Sequence, residues 1–231
     1  MLVNADFSER VAIHSTEMEW ITSPQSGVKR VMLDRIGGEV ARATSLVRYD
    51  KNSRFPRHTH PLGEEVLVLD GVFSDDSGDY PEGWYLRNPP KSSHLPSSID
   101  GTLIFVKLMQ MSLEERRPVR INTRDPAMWH VHQNQLVCPL FSNEQEQVML
   151  VQIPESSSGE EMYDFGAEIL VLQGQMRDQY DEYSAGTWLR LPPRSIQTWT
   201  SGAGGALIYR KSGHLKDLPT DKLSHEFEDI F

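Results

Sequence analysis

Residues 57–94 read RHTHPLGEEVLVLDGVFSDDSGDYPEGWYLRNPPKSSH, and the rest of the chain is organised around them. Side chains two apart in an extended strand share a face, so His58 and His60 can present two imidazoles to one ion. Pro61-Leu62-Gly63 reads as a turn that reverses the chain. The apolar stretch 66–69 that follows makes Glu64 the start of a neighbouring strand, from which it can reach back. His94 comes from a third strand beyond the Asn88-Pro89-Pro90 turn. Imidazole nitrogen and carboxylate oxygen suit Zn²⁺, Fe²⁺, Mn²⁺, Ni²⁺ or Cu²⁺ and do not suit Ca²⁺, which takes oxygen alone. Three neutral imidazoles and one carboxylate around such an ion leave a net charge of about +1, which favours hydroxide or an anion at any open position. The expected metal ligands are therefore His58, His60, Glu64 and His94. Glu65 has the opposite parity and is expected to face away.

The spacing HxHxxxE, six residues and Gly (His58, His60, Glu64, Gly71) resembles the first cupin motif, and GxxxxxPxxxxH (Gly83, Pro89, His94) resembles the second. Asn52, Lys91 and Ser98 stand where those motifs usually carry glycine, glycine and asparagine. The fuller string, ending in the run Gly101 to Lys107, is similar to the cupin domain of ChrR-type anti-sigma factors and their stand-alone relatives, which include acetylacetone-dioxygenase-like enzymes. That resemblance implies an all-β fold of cupin (double-stranded β-helix, jelly-roll) barrels. ChrR-type proteins also carry a zinc anti-sigma domain with an HxxxCxxC motif. That motif does not occur in this sequence, so sigma-factor binding is not carried over.

The pattern then repeats. GAEILVLQGQMRDQY (166–180) mirrors GEEVLVLDGVFSDDS (63–77), and GTWLRLPPRSIQ (186–197) mirrors GWYLRNPPKSSH (83–94), with an offset of 103 at Gly71/Gly174, Gly83/Gly186 and Pro89/Pro192. Self-similarity at a fixed spacing means two copies of one plan, hence two tandem barrels. The expected division is 1–118 for a barrel with the metal site and 119–231 for a degenerate barrel without ligands. Moving the ligand positions by the same offset lands on Glu161, Tyr163, Ala167 and Gln197. No histidine survives, so one divalent ion per chain is expected, with Zn²⁺ first and Fe, Mn or Ni next. Arg87 with Arg190, and Tyr80 with Tyr183, persist in both copies, which points to fold maintenance or contact between barrels.

In chain order, strands are expected at 28–36, 40–49 and 102–111, around the central stretch. Residues 112–128 are charged, contain two prolines, and read as the connection between halves. Trp84 and Tyr85 lie on opposite faces, so one of them lines the cavity. WHVHQ (129–133) offers His130 and His132 at strand parity with no partner glutamate, and reads as an ordinary polar strand. His14, His214 and His225 are isolated and read as solvated. Cys138, among apolar neighbours, reads as a buried inert thiol. Leu223, Phe227, Ile230 and Phe231 recur at helical spacing after a Thr220 cap, giving a short helical tail.

A net charge of −10 argues against direct nucleic-acid or anionic-membrane partners. No apolar run reaches the ~20 residues of a membrane helix. The first residues show no apolar signal region, and the single cysteine excludes an internal disulfide, so a cytoplasmic protein is expected. A monomer and a homodimer both fit. Two functions follow from the site and the resemblance. One is a regulatory module holding Zn²⁺ and sensing a small molecule or oxidant in the N-terminal barrel. The other is a dioxygenase with a redox metal and open positions, acting on a small diketone-like substrate.

Overall fold

The strands expected from the alternating apolar pattern form in a computed structural model that describes residues 1–38, 40–216 and 218. Packing divides the chain into two units. Of the described residues, the first takes in Met1–Ala5 and Glu19–Arg124, the second Asp6–Met18 and 125–216 with 218. The expected helical tail and His225 lie outside the described residues.

In the first unit Thr102–Leu108 pairs antiparallel with Ala41–Tyr49 on one side and Glu64–Asp75 on the other. Trp84–Asn88 extends the sheet beyond Glu64–Asp75, and Val119–Asn122 extends it further. The alternation that allows this also builds the core. Val66, Val68, Leu86, Ile104 and Val106 point to one face with Tyr49, Phe73 and Tyr80 and are nearly fully buried. Each such aliphatic side chain contributes about 1.5–3 kcal/mol. Trp84 packs against this interior cluster, whereas Tyr85 is buried on the opposite face, directly across from Leu67. Of the two aromatic residues, Trp84 is thus the one on the interior face.

The second unit repeats the scheme. Ser195–Ser212 lies between Gln147–Ile153 and Ala167–Arg177, Trp188–Leu191 follows, and Val11–Ile13 closes the series. Two tandem antiparallel barrels are thus present. Their leading strands differ from the expected division at residue 118. Val119–Asn122, which the sequence reading put after the boundary, hydrogen-bonds to Trp84–Arg87 of the first unit. Val11–Ile13, from the opening segment, pairs with Trp188–Leu191 of the second. Both are short, three and four residues, so too little of either is present in the sequence to declare its partner.

Two further features have local causes. The strand that carries the apolar stretch 66–69 runs on through Gly71 to Asp75, because Gly71 takes a left-handed φ of 72° that lets the strand bend without breaking. A Cβ there would stand 2.1 Å from the Gly101 carbonyl oxygen, and Gly174 repeats this at 2.1 Å from Gly205. The strand expected to run to 111 stops at Leu108, where Met109 turns left-handed with φ 62°. Asn52 and Lys91, the two departures from motif glycine, have φ of 58° and 68°. The backbone keeps the glycine conformation although the residue has changed, at low cost for Asn52 and at higher cost for Lys91.

Candidate metal centre

His58–His60 pairs with Ser92–His94, setting His94 directly across from His58. Glu64 opens the adjoining long strand, with Asn88 and Leu108 as its neighbours on either side. This brings all four expected ligands together. One ligand atom from each of His58, His60, Glu64 and His94 lies within 4.8 Å of every other. His60 Nε2 and His94 Nε2 are 3.0 Å apart, and each is 3.5 Å from Glu64 Oε2. Donors bonded to one ion at ~2.1 Å stand roughly 3.0–3.4 Å from their neighbours, so the spacing of His60, Glu64 and His94 is close to that around a divalent cation. The three imidazole rings meet at 65° to 77°, edges inward, as separate ligands do and stacked rings do not. His60, Glu64 and His94 are buried and His58 is half-buried, so the ion position has a buried side and a side nearer solvent.

Three of the four ligands, His58, His94 and Glu64, are held from behind. The Nδ1 of His58 is 2.9 Å from the Pro56 carbonyl oxygen and that of His94 is 3.1 Å from Asp75 Oδ2, which leaves both Nε2 atoms to face the ion. Asn88 Nδ2 donates to Glu64 Oε2 at 2.9 Å. These contacts set opposite proton affinities. Burial lowers the His60 pKa below the usual histidine value, against the pull of the Glu64 charge, which keeps its lone pair available. Burial also acts to lower His94, but the Asp75 hydrogen bond and the Glu64 and Asp75 charges outweigh it and raise the pKa. Burial would raise Glu64, yet the neighbouring histidines and the Asn88 hydrogen bond bring it below the usual carboxylate range. An anionic Glu64 beside these imidazoles is the donor set a divalent cation completes.

Glu65 faces away, as parity requires. It is buried on the other side of the sheet and receives Arg87 Nη1 at 3.0 Å, while Arg87 Nη2 donates to Glu115 at 2.9 Å. Lys107 sits opposite Glu65 on the next strand, equally buried, with its Nζ 2.8 Å from Thr44 Oγ1.

The second unit holds the same positions with other chemistry. Glu161 lies across from Gln197, as His58 does from His94. Glu161 forms an ion pair with Arg210, and Gln197 donates to Asp178 Oδ2 at 3.2 Å. Asp178 thus does for Gln197 what Asp75 does for His94. Glu161, Tyr163, Gln197, Trp199 and Arg210 line one pocket, with no imidazole among them.

The remaining histidines and the cysteine fall as follows. His130 and His132 lie on an exposed strand, and Cys138 is buried, which pushes its thiol up to about 11. His14 is partly exposed beside Asp181 at 3.2 Å. His214 is not solvated. Its side chain is 3% exposed and meets Glu168 at 2.8 Å, with Gly213 and Leu215 hydrogen-bonded to Gly166 and Phe165 just ahead of that glutamate. Sequence reasoning also missed Asp75, Asn88 and Arg120. Asn88 had been absorbed into an Asn-Pro-Pro turn, and the signal that finds it is the repeat, where Leu191 takes its place.

A family model of the ChrR cupin-like domain matches residues 8–112 and 120–216. The chain belongs to that family, and its architecture is a bicupin. Among solved structures it is similar to a putative dioxygenase from Nostoc punctiforme, with 12% identity, TM-score 0.73, and 92% of this chain and 86% of that one covered. A putative glyoxylate-induced protein from Pseudomonas aeruginosa gives 15% identity, TM-score 0.68 and coverage of 97% and 92%. A bacterial pirin from Escherichia coli, solved in complex with nickel(II), gives 10%, 0.65, 88% and 98%. No curated protein matches. Among the described residues no helix is long and apolar enough to cross a membrane.

Proposed function

We propose that the first barrel holds one divalent ion, Zn²⁺ in the resident state, on His58, His60, Glu64 and His94, and that the chain works as a regulatory module of the ChrR cupin type. The observation that carries this is the convergence of four ligand atoms within 4.8 Å inside an apolar barrel. A bound ion supplies a Lewis-acidic position for hydroxide or an anionic small molecule. Around it the protein's own residues do the remaining work. Asp75 and the Pro56 carbonyl orient the imidazoles, Asn88 orients Glu64, and the Val66, Leu86 and Phe73 wall excludes bulk water. The half-buried His58 marks the side from which a small molecule or oxidant reaches the centre. The acidic balance of the chain favours neither nucleic acid nor an anionic membrane as partner.

A second reading, a dioxygenase on a small diketone-like substrate, is favoured by the fold shared with the putative dioxygenase from Nostoc punctiforme. Metal identity separates the two, because Zn²⁺ does not exchange electrons with dioxygen. Elemental analysis of chelator-free protein, paired with oxygen uptake on small diketones, is the test. Zinc without oxygen uptake is the expected result. Iron, manganese or nickel with diketone-dependent uptake would replace the regulatory reading with the enzymatic one, and protein that takes up no metal would contradict both.

A further inference from the structure

Three interior positions change together between the repeats. In the first unit Arg120 Nη2 donates to Asn88 Oδ1 at 2.6 Å, and Asn88 Nδ2 donates to Glu64 Oε2 at 2.9 Å. Arg120 is itself pinned. Its Nη1 donates to the carbonyls of Val119 at 2.8 Å and Arg87 at 3.2 Å, its Nε donates to the Tyr80 hydroxyl at 3.2 Å, and its guanidinium lies 5.4 Å from the Tyr80 ring centroid. A carboxamide has one accepting and one donating end. Because Arg120 can only donate, it takes the oxygen and turns the NH₂ toward Glu64. Asn88 faces Glu64 directly across the strands, and Arg120 faces Leu86.

The same register positions in the second unit are Ala167 opposite Leu191 and Ala12 opposite Leu189. All of these pack in the apolar core of that unit. Glutamate and asparagine are thus replaced by alanine and leucine where the histidines are gone, and the register position of Arg120 becomes Ala12, the arginine at the tyrosine hydroxyl coming from Arg10 instead. Asp75, by contrast, is kept as Asp178, with Gln197 on it. A residue the barrel required would have stayed, as Asp75 did. A chain that disappears with the ligand it touches serves that ligand.

We infer that Asn88 is a positioning residue that fixes the Glu64 carboxylate as the fourth ligand, and that Arg120 acts on the ion through Asn88. Ion affinity then depends on the docking of Val119–Asn122, the strand that carries Arg120. By linkage, a bound ion holds that strand in place. The inference rests on the metal reading above.

The test uses the full chain with Co²⁺ as probe, measuring affinity by chelator competition and the ligand-field absorption band. Asn88→Leu should weaken binding by about 10–100-fold and shift the band, since it removes a contact behind a ligand and leaves the ligands themselves. Arg120→Met should weaken it by a smaller factor. The double variant should bind no more weakly than Asn88→Leu alone, because the two residues act in series. Asn88→Ala brings no new bulk and gives the same readout should Asn88→Leu fold poorly. Wild-type affinity and band in the Asn88 variants, with His94→Ala inactive in binding, would overturn the inference while leaving the metal site standing. So would a double variant whose loss is the product of the single losses. Wild-type protein that takes up no Co²⁺ would remove the metal reading, and this inference with it.

Discussion

The two barrels of this chain share a plan and differ in a pocket, and the difference separates what holds the fold from what serves an ion. Both keep the left-handed glycine at the bend of the long strand, Gly71 and Gly174, each with a carbonyl where a side chain would go. Both keep a buried charged row on three adjacent strands, Arg87–Glu65–Lys107 in one and Arg190–Glu168–Lys211 in the other. Both keep the buried tyrosine with an arginine at its hydroxyl, Tyr80 with Arg120 and Tyr183 with Arg10. What only the first barrel has is His58, His60, Glu64 and His94, with Asn88 behind Glu64 and the Arg120 hydrogen bond that holds Asn88. Fold determinants, Asp75 among them as Asp178, survive the loss of the site, and the Asn88 contact to Glu64 does not.

The comparison can be broken most severely at the charged rows. Arg87→Ala and Arg190→Ala should each lower stability by about 3–5 kcal/mol in denaturant unfolding, the first because it leaves buried Glu65 short of its partner, the second because it removes a fully buried guanidinium that sits across from Glu168 and donates to the Asp6 carbonyl. A large loss in one barrel and none in the other would end the claim that the row is a shared fold element. Next come Gly71→Ala and Gly174→Ala, which combine an unfavourable φ with a backbone clash and should each cost about 2 kcal/mol or more. Unequal thermal shifts would show that the bends are not equivalent.

The smallest effect is expected at Asp178. Burial acts to raise its pKa, but hydrogen bonds from Tyr183, Tyr180 and Gln197 and the Arg10 charge bring it below the usual aspartate value. A carboxyl depressed in the folded state contributes stability above its unfolded pKa of ~3.9, and that contribution is lost as pH falls through the lower folded value. Asp178→Asn should therefore cost about 1–2 kcal/mol at neutral pH, and the gap to wild type should close below pH ~4. A gap that persists unchanged in acid would mean that the carboxylate charge is not what matters there.

The site was legible because parity and turn chemistry act locally. His58 and His60 are two apart, Gly63 and the Pro89-Pro90 pair reverse the chain, and the same spacing returns in 166–197 without histidine. The leading strands were not legible, because Val11–Ile13 and Val119–Asn122 carry too few residues to declare a partner, and pairing between distant segments is a tertiary choice. Asn88 was hidden for another reason. An asparagine before two prolines has a sufficient local explanation as turn chemistry, so its hydrogen bond to Glu64 adds no signal in a single copy. His214 misled because an isolated histidine in a polar stretch gives no sign of a buried carboxylate 46 residues earlier in the chain.

The central claim is that the ion belongs to the first barrel alone, and metal content per chain tests it most directly. Protein purified without chelator or affinity metal should carry about one divalent ion per chain. His94→Ala should carry none, and Gln197→Ala, its counterpart in the second barrel, should keep the wild-type content. Equal metal content in the two variants would contradict the account.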